Sequence, residues 1–217
     1  MKFLVFDTET TGLPKRSNAS PEETYLFPYI VQLSWLIFNT GNNRIEHLRD
    51  KIIKLPHGIQ IPKKTTEIHG ITQKIMLEDG EPIVDVLNTF MQDASACTYI
   101  VAHNMKFDKT LIDVECIRNK FSKRLSDYRK MEYCTMKKGK IVCNITKINP
   151  ITNKVELKYP KLIELHEFLF HETPKNLHNS LIDILVCFRC FYALVYNVDV
   201  VTTNQKFKEY LNLYCGL

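Results

Sequence analysis

KFLVFD (residues 2–7) and the TETTGLP that follows it (residues 8–14) decide the fold. The apolar run from Phe3 to Phe6, closed by an acid, reads as a buried strand. In a strand, side chains at i and i+2 point to the same face, so Asp7 and Glu9 project together from its C-terminal end. Two carboxylates so close repel each other and resist ionisation unless a cation lies between them. Donors that are all oxygen suit Mg²⁺ or Mn²⁺. A solvated strand end with two ordinary acids has the same local spelling, so the pair has to be judged with the rest of the chain.

Outward from this strand, residues 11–28 hold Gly12 and three prolines and read as a loop. Tyr29 to Phe38 (YIVQLSWLIF) reads as a second strand, Gly41-Asn42-Asn43 as a turn, and Ile45 to Leu55 as a third strand. Together these predict an antiparallel meander. The pattern then changes to helix and strand in alternation. Short helices are expected over Pro62–His69 and Pro82–Gln92, the latter with Ile83, Val86, Leu87 and Phe90 at helical spacing. Cys97–Ala102 is a fourth strand, Met105–Lys120 a helix, and Tyr133–Met136 a further strand. Residues 139–159 alternate apolar and polar around Asn149-Pro150, which predicts a β-hairpin insertion. Helices follow at Lys161–Phe170, Ser180–Asn197 and Lys206–Tyr214. The expected fold class is α/β, a central mixed β-sheet flanked by helices. It forms one domain over residues 1–217, with residues 198–217 as a C-terminal extension.

The chain of 217 residues, 45% hydrophobic and 24% charged, has the make-up of a globular protein. No stretch reaches the ~20 apolar residues of a membrane span. The longest apolar run, Ile184 to Tyr196, is interrupted by Arg189. MKFLVFD has neither the apolar region nor the cleavage site of a secretory signal, so the expected location is intracellular, cytoplasmic or nuclear, with no membrane partner. Seven scattered cysteines argue against a disulfide framework. Cys187 and Cys190 have metal-site spacing, but they lie in a helical pattern without a second pair, where buried free thiols are the commoner outcome. A net charge of +5 permits phosphate contacts. The basic residues crowd between Lys106 and Lys140, which describes a solvated face as well as a binding surface.

Two further acids and a histidine complete the pattern. Asp108 follows the fourth strand in VAHNMKFD, where Asn104 is placed to cap the next helix and Asp108 falls in its first turn. That junction of strand end and helix start is a common ligand site in α/β proteins. His178 and Asp183 lie in LHNSLIDI at a spacing of i to i+5, roughly 140° apart on a continuous helix. They converge if His178 precedes the helix and Asn179 or Ser180 caps it. Asp183 sits among Leu181, Ile182, Ile184 and Leu185, where a carboxylate needs a partner or a metal. Four acids and one histidine at three separated places match a site for two metal ions, with the histidine able to take a proton from water.

FDTETTGLP, VAHNMKFD and LHNSLIDI, with EIHGIT (residues 67–72) between the first two, resemble the DEDDh branch of the DnaQ-like 3′–5′ exonucleases. That family includes the proofreading subunit of bacterial replicase, the three-prime repair exonucleases, RNase T and oligoribonuclease. The resemblance spans about residues 1–195 and implies an RNase H-like fold. It implies that Asp7, Glu9, Asp108 and Asp183 hold two divalent ions, Mg²⁺ or Mn²⁺, and that His178 is the general base. It suggests backbone contacts from Thr8 and Thr10 to the terminal nucleotide, packing of His69 and Phe107 on its base or sugar, and a steadying role for Asn104. The run Tyr133-Cys134-Thr135-Met136 departs from the pattern, where many relatives carry an acid before the threonine. Lys140, Lys147, Lys154 and Lys158 place charge on the hairpin insertion, which either touches the nucleic acid or is decorative.

The expected activity is hydrolysis of phosphodiesters at nucleic-acid 3′ ends, single-stranded or frayed, releasing nucleoside 5′-monophosphates, with DNA preferred. RNA 3′-end processing is the alternative substrate. A catalytically idle nucleic-acid-binding module and an endonuclease of the wider RNase H-like class are the competing readings. A polymerase partner or a homodimer is compatible with the chain.

Overall fold

The computed structural model describes residues 1–217. Strand β1 (Lys2–Thr10) pairs antiparallel with β2 (Ile30–Asn39), and β2 with β3 (Arg44–Lys54). Two short helices, α1 (Lys63–His69) and α2 (Gln73–Asp79), lead to the two-residue β4 (Glu81–Pro82) and to α3 (Ile83–Ser95). Then come β5 (Tyr99–Ala102), α4 (Met105–Arg118), β6 (Met131–Cys134), α5 (Thr135–Cys143) and the hairpin β7 (Thr146–Ile148) and β8 (Val155–Leu157). Three helices close the chain: α6 (Leu162–Phe170), α7 (Ser180–Tyr196) and α8 (Gln205–Cys215). The main sheet runs β4-β3-β2-β1-β5-β6, with β5 parallel to β1 and β6 parallel to β5. It is the expected mixed sheet with helices on its faces.

Alternation along β1 and β2 builds a core on each side of this sheet. Leu4, Phe6, Leu33, Trp35 and Ile37 face α3 and α4, where they pack with Phe90, Leu111 and Ile112. Phe3, Val5, Leu36 and Phe38 face the opposite way and pack with Phe188 and Phe191 of α7 and Phe207 of α8. Strands covered on both faces need apolar residues at nearly every position, which explains the apolar run Phe3–Phe6 of β1 and that of β2, interrupted only by Gln32 and Ser34. Residues 198–217 are part of this second core, since Phe207, Leu211 and Cys215 are fully buried there. No helix is long and apolar enough to cross a membrane.

Three expectations need correction. The strand expected at Tyr133–Met136 ends at Cys134, and α5 begins at Thr135. Consequently the insertion is smaller than residues 139–159: its first five residues are helical, and only Thr146–Leu157 forms the hairpin. Gly139 explains the helix in packing terms, because a Cβ there would lie 2.9 Å from the Pro160 Cγ and 3.1 Å from Leu165. Any larger residue would have to displace these side chains for α5 to lie this close to α6. Finally, α2 and β4 are elements that the sequence pattern does not announce.

Candidate active site

Asp7 and Glu9 lie on the same face of β1, as the period of two requires. Asp183 comes to them in the first turn of α7, and carboxylate oxygens of Asp7, Glu9 and Asp183 all lie within 4.8 Å of one another. Asp108 arrives in the first turn of α4 and is almost fully buried. Its Oδ1 accepts from the Thr8 backbone N–H at 3.2 Å and from the Thr8 hydroxyl at 2.8 Å. The Thr8 amide and hydroxyl therefore hold the fourth acid. Thr10 turns its hydroxyl back onto the Gly12 carbonyl at 2.6 Å.

The electrostatics are those of four acids with no cation among them. Burial, then Asp108, Asp183 and Glu9, push Asp7 well above the ordinary aspartate range. Burial, with Asp183 and Asp108, raises Glu9 to about 8. Asp108 rises to about 7 through burial, partly opposed by its two bonds from Thr8. Asp183 also rises to about 7 through burial, opposed by the His178 backbone amide. Unpaired buried carboxylates are costly to ionise. This donor set of oxygens only fits hard divalent cations, and these three converging carboxylates are the only such cluster in the chain. The zinc reading of Cys187 and Cys190 fails on the same ground: both are buried free thiols on α7.

His178 lies just before the Asn179 N-cap of α7, whose side chain accepts from the Leu181 N–H at 3.1 Å. This arrangement brings the His178 backbone N–H to the Asp183 carboxylate. His178 adopts φ +68, in the left-handed region, and its side chain is exposed. Asn104 occupies the N-cap position of α4 but makes no side-chain capping bond, contrary to expectation.

A cleft of about 440 Å³ beside the acids is lined by Thr8, Glu9, Thr10, Leu13, His69 and Phe107. That volume lies within the roughly 300–1,000 Å³ of small-ligand sites. His69 is buried at the end of α1, where Gly70 at φ +74 stops the helix. Its Nδ1 accepts from the Ile71 N–H at 3.1 Å, so the neutral ring carries its proton on Nε2. That buried Nε2 has no partner in good hydrogen-bond geometry, and the nearest acceptor to it is the Thr10 backbone. Leu13 and Phe107 continue into a second cleft with Asn104, Arg16 and Lys106. Lys106 and Thr110 continue in turn into a third, lined by Lys109, Lys137 and Lys138.

Many of the basic residues between Lys106 and Lys140 have local partners. Lys109 pairs with Glu132, Arg124 with Glu22, and Arg118 with Glu115. On the insertion, Lys147 pairs with Glu156 and Lys158 with Glu164, while Lys140 lies 4.5 Å from the Tyr159 ring centroid. Lys106, Lys137 and Lys138 make no ion pair and share the third cleft.

Two positioning residues are not evident from the sequence. Ser180 donates its hydroxyl to the Asp7 carbonyl at 2.9 Å, and its N–H donates to Gln32 Oε1 at 3.1 Å. Gln32 Nε2 donates in turn to Asp50 at 2.7 Å. The start of α7, and with it Asp183, is thereby bolted to β1. The available signal was Gln32 and Ser34 inside the apolar run YIVQLSWLIF, since buried polar groups demand partners. Gln32→Leu strands the Ser180 N–H and is expected to cost about 1–3 kcal/mol, with Ser180→Ala nearer 1 kcal/mol. Thermal melts check this, at about 2–4 °C per kcal/mol for a chain of this length. Unchanged melting of Gln32→Leu would show that the bolt carries no load.

A mixed sheet bearing a cluster of partly buried acids at the end of its central strand is a frame that suits a nuclease. Residues 4–191 match the exonuclease family profile known as RNase T, and the chain belongs to that family. Among curated relatives, the DNA polymerase III PolC-type of Streptococcus pyogenes serotype M2 (strain MGAS10270) is 36% identical over 106 residues, covering 49% of this chain and 6% of that protein. The same enzyme of serotype M18 (strain MGAS8232) is 32% identical over 121 residues, covering 56% and 7%. The chain thus spans only a small part of the length of these relatives. Among solved structures, the nuclease domain of 3′hExo, a DEDDh family member bound to rAMP, aligns with a TM-score of 0.63 at 15% identity, covering 92% of this chain and 94% of that one. The zinc-bound complex of E. coli ExoI with single-stranded DNA aligns with a TM-score of 0.64 at 14% identity, covering 96% and 42%. Identities this low establish the shared fold.

Proposed function

We propose that this chain is one 3′–5′ exonuclease domain that hydrolyses the terminal phosphodiester of a single-stranded or frayed nucleic-acid end and releases nucleoside 5′-monophosphates. The observation that carries the reading is the convergence of three partly buried carboxylates, Asp7, Glu9 and Asp183, beside the buried Asp108, with no cationic side chain to offset them. Asp7, Glu9, Asp108 and Asp183 would hold two Mg²⁺ or Mn²⁺ ions. When bound, such ions acidify water and neutralise charge building at the scissile phosphate. The protein's own part is positional. Thr8 fixes the Asp108 carboxylate, and the Ser180 hydroxyl fixes Asp183 relative to Asp7. The exposed imidazole of His178 takes the proton of the attacking water at a ring nitrogen. The terminal nucleotide occupies the cleft beside Glu9, where the Phe107 ring meets the base and His69 lines the wall. Upstream phosphates follow the connected clefts toward Lys106, Lys137 and Lys138.

DNA is the preferred substrate, supported by the similarity to PolC-type DNA polymerases and to a complex that holds single-stranded DNA. Docking to a polymerase and an intracellular location accord with this reading; self-association into a homodimer is open to the same chain. RNA is the second reading, favoured by the likeness to a nuclease domain bound to rAMP. A time course on 5′-labelled single-stranded DNA and the matching RNA tests both. With Mg²⁺ or Mn²⁺, a ladder shortening one nucleotide at a time from the 3′ end is expected, faster on DNA and absent in EDTA. Internal cuts on a circular strand, or shortening from the 5′ end, would overturn the assignment.

A further inference from the structure

His178 sits in a loop that has to be held still. Between α6 and α7, Asn176 adopts φ +61 and His178 φ +68, two left-handed non-glycine residues within three positions. Such conformations persist only where the surroundings enforce them. The surroundings here converge on one buried cation, Arg189, whose side chain is 5% exposed on α7. Its Nη1 donates to Glu172 Oε2 at 2.7 Å, and its Nη2 donates to Asp199 Oδ2 at 2.7 Å. Nη1 also lies 3.1 Å from His166 Nε2, and the guanidinium stacks 4.0 Å from the Phe170 ring centroid. With His166 Nε2 accepting, Nδ1 carries the proton and donates to the Glu172 carbonyl at 2.9 Å. The start of the loop is thus clasped through both the backbone and the side chain of Glu172. Further along, Pro174 is buried, the Lys175 N–H donates to the Cys215 carbonyl of α8 at 3.0 Å, and Leu177 packs against the α7–α8 core.

Asp199 and Cys215 both lie beyond residue 191, where the family match ends. We propose that Arg189, locked by Asp199 and seconded by α8, is the positioning residue that clamps the 171–179 loop and presents His178 to the site. The inference rests on the assignment of His178 as general base. It gives residues 198–217 a task in turnover although they touch none of the acids.

Glu172 is the place to cut the clamp, because its side chain is about half exposed and its loss leaves the core alone. Glu172→Ala is expected to lower kcat about tenfold with KM for a single-stranded oligonucleotide unchanged, because misplacing a catalytic group costs turnover more than binding. Melting should move by only a few degrees, because the buried guanidinium keeps Asp199 and His166 as partners when Glu172 is cut. Glu172→Gln keeps an acceptor for Arg189 and should recover most of the loss. In a His178→Ala background, Glu172→Ala should cost nothing more, since the clamp acts through the missing ring. Amide exchange in residues 175–179 should quicken in Glu172→Ala. An equal loss in both backgrounds, a loss confined to KM, or unchanged exchange in that segment overturns the clamp. If His178→Ala keeps full turnover while exchange quickens in Glu172→Ala, the loop lock stands and the base assignment is what fails.

Discussion

Asp7→Asn is expected to lower kcat by at least about 10³-fold, since a bound divalent ion contributes several kcal/mol of charge stabilisation at about 1.4 kcal/mol per tenfold in rate. Asp7 is the hinge of the cluster. Its carboxylate meets those of Glu9 and Asp183 within 4.8 Å, and its carbonyl anchors Ser180 at the start of α7. The substitution keeps that carbonyl and the side-chain volume and removes one anionic donor. Single-turnover assays across a Mn²⁺ titration separate the causes. Partial recovery at high Mn²⁺ marks a weakened ion site, and circular dichroism matching the parent excludes a folding defect. Near-normal turnover at every metal concentration would remove Asp7 from the catalytic set and revive the reading of an idle binding module.

The site was legible where one short segment carries the signal. Asp7 and Glu9 share a strand face whatever the rest of the chain does, and Asp183 follows a cap that the sequence spells out with Asn179. Strands β1, β2 and β5 were legible as apolar runs because their middles are buried, with Gln32 and Ser34 the polar interruptions of β2, whereas the largely exposed β3 was legible from the turn before it and its β-branched residues. What escaped depends on distant partners or on segments too short for a period. Gln32 meets Ser180 across 148 positions of sequence. Helix α2 buries only Met76, which leaves no face to read, and β4 is two residues long with a proline. Residues 139–143 alternate like a strand, yet the packing of Gly139 on Pro160 and Leu165 keeps them in α5. Asn104 shows the reverse failure: a good capping residue stands at the N-cap and does not cap.

Without divalent metal, the protein should lose stability as the pH rises from about 4 to about 8. Asp108 and Asp183 are raised to about 7 and Glu9 to about 8, all chiefly by burial, against unfolded values near 4. Between those limits the folded chain binds more protons than the unfolded one, so stability falls with pH. The contribution is complete below about pH 4 and is lost as pH passes through 7–8. The three acids together are worth several kcal/mol, at about 1.4 kcal/mol for each tenfold change in acidity, lessened because their charges act on one another. Mg²⁺ or Mn²⁺ reverses the sign, because only the ionised acids bind the ion and proton release favours binding as pH rises. Melts in EDTA at pH 5 and pH 8, repeated with saturating Mn²⁺, should show a larger gain from metal at pH 8. Glu9→Gln should melt higher than the parent in EDTA at pH 8, because it removes one charge from the cluster, and should lose most of the gain from Mn²⁺. The same acids expected to weaken the apo protein at neutral pH are the ones proposed to hold the metal. A flat EDTA profile, with no response of the Glu9→Gln variant, would mean that solvent or unrecognised cations already relieve the four carboxylates.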